Sequence, residues 1–131
     1  MNAQLVKDVM IKKENLVIVS PMASVRDALN LMKEKDVKSV IVNKTHDYDA
    51  YGIVTYKNIL KSVVAEDGDI DLLNVYDIAS KPAIQVSGEL GIKYAARMMI
   101  NQSIKRVLVI DNNEIKGVIT MTDLVNIVME A

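Results

Sequence analysis

Cysteine is absent from the chain, and so are tryptophan and phenylalanine. Without cysteine there can be no disulfide and no thiolate zinc site. The single histidine, His46, stands in the polar run HDYD. One imidazole is a poor start for a transition-metal centre, so His46 reads as a loop residue and no metal site is expected. No apolar run approaches the length of a bilayer span. The first stretch, MNAQLVKDVMIKKENLVIV, mixes Asp8, Glu14 and several lysines into its apolar residues, which is not the pattern of a signal peptide. A cytoplasmic protein without membrane contact is therefore expected. Neither sign of charge dominates: 16 basic residues face 17 acidic ones, for a formal net charge of −1. Such a chain has no global field with which to gather nucleic acid, and any anion site must be a local cluster. Lacking Phe and Trp, it also lacks platforms for stacking bases, so nucleic acid is not an expected partner.

What the chain does have is aliphatic bulk. Half of its 131 residues are hydrophobic and a quarter are charged. This is the composition of a globular domain large enough for a real core. Aromatics amount to 4%, all Tyr, so the core must be built from Val, Ile, Leu and the eight Met.

The chain is also written twice. VKDVM at 6–10 returns as VYDIA at 75–79, and ASVRDALNLM at 23–32 as LGIKYAARMM at 90–99. KSVIV at 38–42 returns as KRVLV at 105–109, and GIVTYKNIL at 52–60 as GVITMTDLV at 117–125. The offset drifts from 69 through 67 to 65, as small differences in loop length would produce. The expected boundaries are 1–66 for the first copy with its lead-in and 67–131 for the second, separated by AEDGDID at 65–71, which reads as a solvated linker.

Each copy predicts the same elements. Ser24 followed by Asp27 resembles a helix capping box, with Val25, Ala28, Leu29 and Met32 on one face; Ile92, Ala95, Ala96 and Met99 repeat that spacing. SVIV and RVLVI are continuous runs rich in β-branched residues, the signature of strands buried on both faces. DNNE after the second of these predicts a tight hairpin turn, whereas the first copy has a longer polar loop, KTHDYDAY. A further helix begins near Thr55 and near Thr120. Short extended pieces, LVIVSP at 16–21 and AIQVSG at 83–88, precede the first helix of each copy. The fold class is α/β (α+β), each copy β-α-β-β-α. One copy cannot cover both faces of its small sheet; two packed sheet to sheet about a pseudo-two-fold axis would, leaving paired clefts.

The VKDVM lead-in, SVRDALNLM, KRVLVID and above all GVITMTDL resemble the CBS domain, and nearly the whole chain resembles one CBS pair, or Bateman module. The resemblance implies a small regulatory protein that binds an adenosyl ligand (AMP, ADP, ATP or S-adenosylmethionine) between its repeats, and that forms a homodimer. No catalyst's cofactor and no enzymatic activity are expected, and a regulated protein partner is implied without being identified. By the family's motif, Asp123 would accept the ribose hydroxyls, with Thr120 and Thr122 beside it, while Lys105 and Arg106 would face phosphate. The adenine would rest near Val17 and near Val37 and Lys38 of the other repeat, with Lys12 contributing from the lead-in. The chemistry suits these residue types: a carboxylate makes charge-assisted bonds to vicinal hydroxyls, a helix N-terminus offers N–H groups to an anion, and Val side chains form an apolar slot.

A second, weaker site would use Thr55 and Asn58, with Ile84 from the other repeat. It departs from the pattern: Asn58 replaces the Asp, Lys57 replaces a small hydroxyl residue, and Ser39 stands where Arg106 stands. Occupancy is expected first at Asp123. Plainer readings stand beside these. Thr120 and Asp123 also form a capping box, and an Asp123 folded back onto Thr120 is less free to clasp a ribose. Lys105 and Arg106 also suit a solvated strand end. Gly52 and Gly117 suit close strand packing as well as approach to a ligand. The alternative function is a ligand-free dimerisation or protein-interaction module, motivated by the missing Asp of the first copy. An enzyme is the weakest reading, because no nucleophile–base pair and no phosphate-gripping loop is recognisable.

Overall fold

A computed structural model of the chain describes residues 4–131. It resolves into two compact units, one holding residues up to Leu16 together with Ile84–Ala131, the other Val17–Ala83.

The Val17–Ala83 unit carries a three-stranded sheet. Strand β2 (Ile18–Val19) runs parallel to β3 (Ser39–Val42), which pairs antiparallel with β4 (Gly52–Thr55). Between β2 and β3 lies helix α2 (Val25–Lys35). Ser24 is its N-cap, as the sequence implies, with the Asp27 N–H donating to Ser24 Oγ at 3.0 Å, which is one half of the expected capping box. Its far end turns on Asp36, left-handed at φ 53°. The stripe Val25, Ala28 and Met32 is buried against Val40, Val42 and Val54. Ile41, on the opposite face of β3, is buried too. After β4 come α3 (Tyr56–Ile59), a π-helical stretch over Leu60–Ala65, and α4 (Val75–Ile78).

The other unit repeats the plan with longer strands. Strand β5 (Gln85–Val86) runs parallel to β6 (Arg106–Asp111), β6 pairs antiparallel with β7 (Glu114–Thr120), and helix α5 (Ile92–Asn101) buries Ile92, Ala95 and Met99. Asp111 and Glu114 face each other across the hairpin, so the loop is two residues long. Asn112 and Asn113 sit at φ 53° and 62°, the left-handed pair that a type I′ turn requires and that Asn tolerates well. Helix α6 (Met121–Glu130) follows β7 directly.

This sheet has a fourth strand that the periodicity does not announce. Ahead of it, helix α1 (Val6–Val9) leads into strand β1 (Ile11–Lys12), which pairs antiparallel with β7, Ile11 opposite Val118 and Lys12 opposite Gly117. The lead-in of the first copy thus packs with the body of the second. The exchange is reciprocal. Val6 N–H donates to Leu90 O (2.8 Å) and Lys7 N–H to Gly88 O (3.0 Å), while Val75 N–H donates to Ala23 O (2.8 Å) and Tyr76 N–H to Pro21 O (3.1 Å). Each lead-in helix docks on the run just before the other copy's long helix. The compact units therefore divide the chain differently from the two sequence copies.

Gly117 is needed for that docking. A Cβ there would press on the Ile11 carbonyl oxygen and come within 2.6 Å of Met10 Sδ. Gly117→Ala must push β1 away or strain β7, and overpacking of this kind costs about 1–3 kcal/mol. Urea denaturation should show that loss, while Gly52→Ala, whose nearest backbone contact is 3.3 Å away, should lose less.

The AEDGDID stretch is tied down rather than freely solvated. Arg26 clasps the Asp71 carboxylate through Nε and through Nη2 at 3.0 Å, the Arg26 N–H donates to Ile70 O (3.0 Å), and Gly68 N–H donates to Ser62 O (2.9 Å).

The polar loop of the first copy is anchored by Asp49. Its Oδ2 accepts from Thr45 N–H and Thr45 Oγ1 at 2.8 Å and from Lys81 Nζ at 2.9 Å. His46 lies in this loop, as expected, its Nδ1 accepting from Tyr48 N–H at 3.2 Å. The Thr45 backbone N–H foremost, then the Lys81 ammonium and the Thr45 hydroxyl, hold the Asp49 carboxyl well below the usual carboxylate range. A carboxyl depressed on folding contributes stability that is fully present above its unfolded pKa of about 3.9 and is lost as pH falls toward the folded value. Acid titration should erode the loop's protection below about pH 4. Lys81→Met should move that erosion to higher pH, as followed by amide exchange in residues 45–51.

Candidate functional site

The β6–β7 register decides which expected site residues meet. Arg106 lies directly opposite Thr120, so their side chains share a face of the sheet. Met121 N–H donates to Lys105 O at 3.0 Å, which fixes the start of α6 beside the start of β6. Lys105, Arg106, Thr120 and Asp123 are therefore gathered at one end of one hairpin. Lys12, opposite Gly117, joins the same sheet three residues further along β7. Thr122 is exposed in the first turn of α6.

Thr120 is the N-cap of α6, extended at φ −119°, ψ 162°. Its N–H donates to Asp123 Oδ2 (2.8 Å), and Asp123 N–H donates to Thr120 Oγ1 (3.1 Å). The capping box exists, but it does not exhaust the motif. The cap uses one carboxylate oxygen, while Oδ1 has no protein partner among the described residues. Thr120 Oγ1 is an acceptor here, so its own proton stays available. Capping and clasping are compatible at this residue.

A depression of about 530 Å³ opens along α6 and α1, lined by Asp123 together with Gln4, Asp8, Asn126 and Glu130. It shares only Asp123 with the expected site. Asp8 and Glu130 make it hostile to phosphate.

The first copy's motif has the same register and different chemistry. Ser39 lies opposite Thr55, confirming its equivalence to Arg106. Asn58 Oδ1 accepts from Thr55 N–H (2.8 Å) and from Thr55 Oγ1 (2.9 Å). Its Nδ2 donates to Ser80 Oγ at 3.1 Å. Ser80 is absent from the sequence-based set, although the 69-residue offset between the copies aligns it with Ile11.

The residues expected at the base lie in the Val17–Ala83 unit. Val17 and Val37 are partly buried against its core, and Lys38 is exposed. Val17 O accepts from Ile41 N–H at 2.9 Å; its counterpart Ile84, in the other unit, accepts from Leu108 N–H at 3.0 Å.

Residues 6–65 and 75–130 each match the CBS domain. The chain belongs to the CBS domain family. Its two matched stretches are the two sequence copies, and its two sheets with their helices are those of a CBS pair. An uncharacterized protein of Methanocaldococcus jannaschii is 30% identical over 115 residues, 87% of this chain and 62% of the relative. The chain thus spans about three fifths of that relative. The hexameric CBS-CP12 protein from bloom-forming cyanobacteria has a solved structure with a TM-score of 0.86 and 35% identity, over 94% of this CBS chain and 70% of that one. CBSX2, solved in complex with AMP, superposes with a TM-score of 0.80 at 23% identity, over 98% of each chain. Among the described residues of this CBS pair, no helix is long and apolar enough to cross a membrane.

Proposed function

We propose that this CBS pair is a non-catalytic regulatory module that binds one adenosyl ligand through the Thr120–Asp123 motif. Asp123 Oδ1 takes the ribose hydroxyls, the Thr120 hydroxyl and the exposed Thr122 stand beside them, and Lys105, Arg106 and Lys12 supply positive charge for phosphate. The observation that carries this reading is the half-used carboxylate of Asp123, held by its own helix cap next to the Arg106–Thr120 pair. An AMP complex of a CBS pair with the same fold supports the ligand class.

Thermal denaturation with AMP, ADP, ATP and S-adenosylmethionine tests the proposal. A ligand at 100 times its Kd should stabilise the protein by about 2.7 kcal/mol. No shift with any of the four would defeat it.

A second reading, self-association without a ligand, is favoured by α6. That helix buries none of its residues fully and leaves Val125, Val128 and Met129 more than half exposed. Sedimentation with and without AMP separates the two readings: an oligomer indifferent to AMP, in a protein that AMP does not stabilise, supports self-association alone.

A further inference from the structure

The two motifs differ in which hydrogen-bonding groups they leave unspent. At the second copy, the Thr120 hydroxyl accepts from a backbone N–H and Asp123 keeps Oδ1 open. At the first copy, the Thr55 hydroxyl gives its proton to Asn58 Oδ1, the same oxygen takes the Thr55 N–H, and the amide nitrogen is held by Ser80. An amide oxygen has two lone pairs, and here both are engaged. A sugar diol needs an acceptor at the third helical position, and the Asn58 oxygen has no lone pair to spare.

Beyond the exchange of Asp for Asn, the difference traces to one position outside either motif. Ser80 bridges to Ile53 exactly as Ile11 pairs with Val118, and Ile53 and Val118 are equivalent residues of β4 and β7. Ser80 and Ile11 therefore occupy the same place in the two halves. A serine there reaches the residue at the third helical position; an isoleucine has nothing to offer it.

We infer that Ser80 and Asn58 form a latch that closes the first copy's motif to ligand, and that the residue at position 80 or 11 decides which motif is open. The inference rests on the adenosyl-binding reading and deepens it: one ligand per chain is imposed by an internal hydrogen-bond network, in addition to the missing charge at Asn58. Ser80 acts on ligand choice as a positioning residue, through Asn58. The latched motif also lacks a cation, since Ser39 replaces Arg106. A ligand without phosphate is thus the fair probe of whether it has been opened.

Equilibrium dialysis with adenosine and with AMP tests this on the intact protein. The wild type should bind one equivalent of ligand, lost in Asp123→Ala. The double variant Asn58→Asp/Ser80→Ile, in which the first motif copies the second, should take up a second equivalent of adenosine. Two equivalents in the wild type, or one in a folded double variant, overturns the latch while leaving the adenosyl-binding reading intact. No binding of either compound by the wild type defeats that reading instead. The latch then stands or falls on a ligand-free measurement: Ser80→Ala should shift the Asn58 side-chain amide resonances in a ¹⁵N–¹H spectrum. Unmoved resonances overturn it.

Discussion

Met99→Ala will lower the unfolding free energy by about 2–5 kcal/mol, among the costliest single truncations in the chain. Met99 is 1% exposed and packs with Ala95, Val107, Val109 and Ile119, as well as with Val6 from the lead-in. Removing its thioether leaves a cavity walled by β-branched side chains of two strands, which cannot collapse into it as a flexible neighbour would. For a chain of this size the loss corresponds to a fall in Tm of roughly 10 °C. The equivalent Met32, 2% exposed, sits on the same stripe of α2 and should cost a similar amount. Val128→Ser, on an exposed position of α6, should stay within about 0.5 kcal/mol. Guanidinium denaturation of the three variants checks the order. A Met99→Ala protein as stable as Val128→Ser would mean that the α5 stripe is not the core it is described to be.

That stripe was readable in the sequence because a long helix with one buried face must repeat its apolar residues every three or four positions. The Asn112–Asn113 turn was readable because few residues other than Gly, Asn and Asp accept the left-handed backbone that a two-residue hairpin needs. Arg106, Thr120 and Asp123 were grouped by the resemblance to the CBS motif, and the register of the tight hairpin is what places Arg106 opposite Thr120. The lead-in exchange was not readable. Helices α1 and α4 have four residues each, too few to show a period, and β1 has two. What places them is a set of backbone hydrogen bonds, which carry no side-chain signature, together with the buried Val6 and Val75, too few to show a pattern. Gly117 was the one local hint, a strand glycine whose missing side chain makes room for another strand. The roles of Thr55 and Thr120 were equally hidden. Both precede a small polar residue by three positions, yet the Thr55 hydroxyl donates to the Asn58 side chain and the Thr120 hydroxyl accepts from the Asp123 N–H. Ser80 lay in the aligned copies all along, opposite Ile11, but an exposed serine carries no meaning until its hydrogen bond is seen.

Asp123→Ala is expected to weaken adenosyl-ligand binding by about 100-fold, close to 2.7 kcal/mol, because a carboxylate that accepts from two hydroxyls is lost outright. The same change removes the acceptor for Thr120 N–H and should cost about 1 kcal/mol of stability through the cap alone. The two losses must be separated, since a frayed α6 would also weaken binding. Asp123→Asn separates them. Asn58 demonstrates within this chain that an amide oxygen satisfies the Thr N–H at 2.8 Å, so Asp123→Asn should keep the cap and hold stability within about 0.5 kcal/mol of wild type. It would nevertheless turn an N–H₂ donor toward the diol in place of a charged acceptor, and binding should fall nearly as far as in Asp123→Ala. Calorimetric titration with AMP and S-adenosylmethionine, beside urea denaturation of each variant, gives both quantities. If Asp123→Asn binds as the wild type does, or if Asp123→Ala loses stability without losing affinity, the carboxylate is a helix cap and the ligand is held elsewhere.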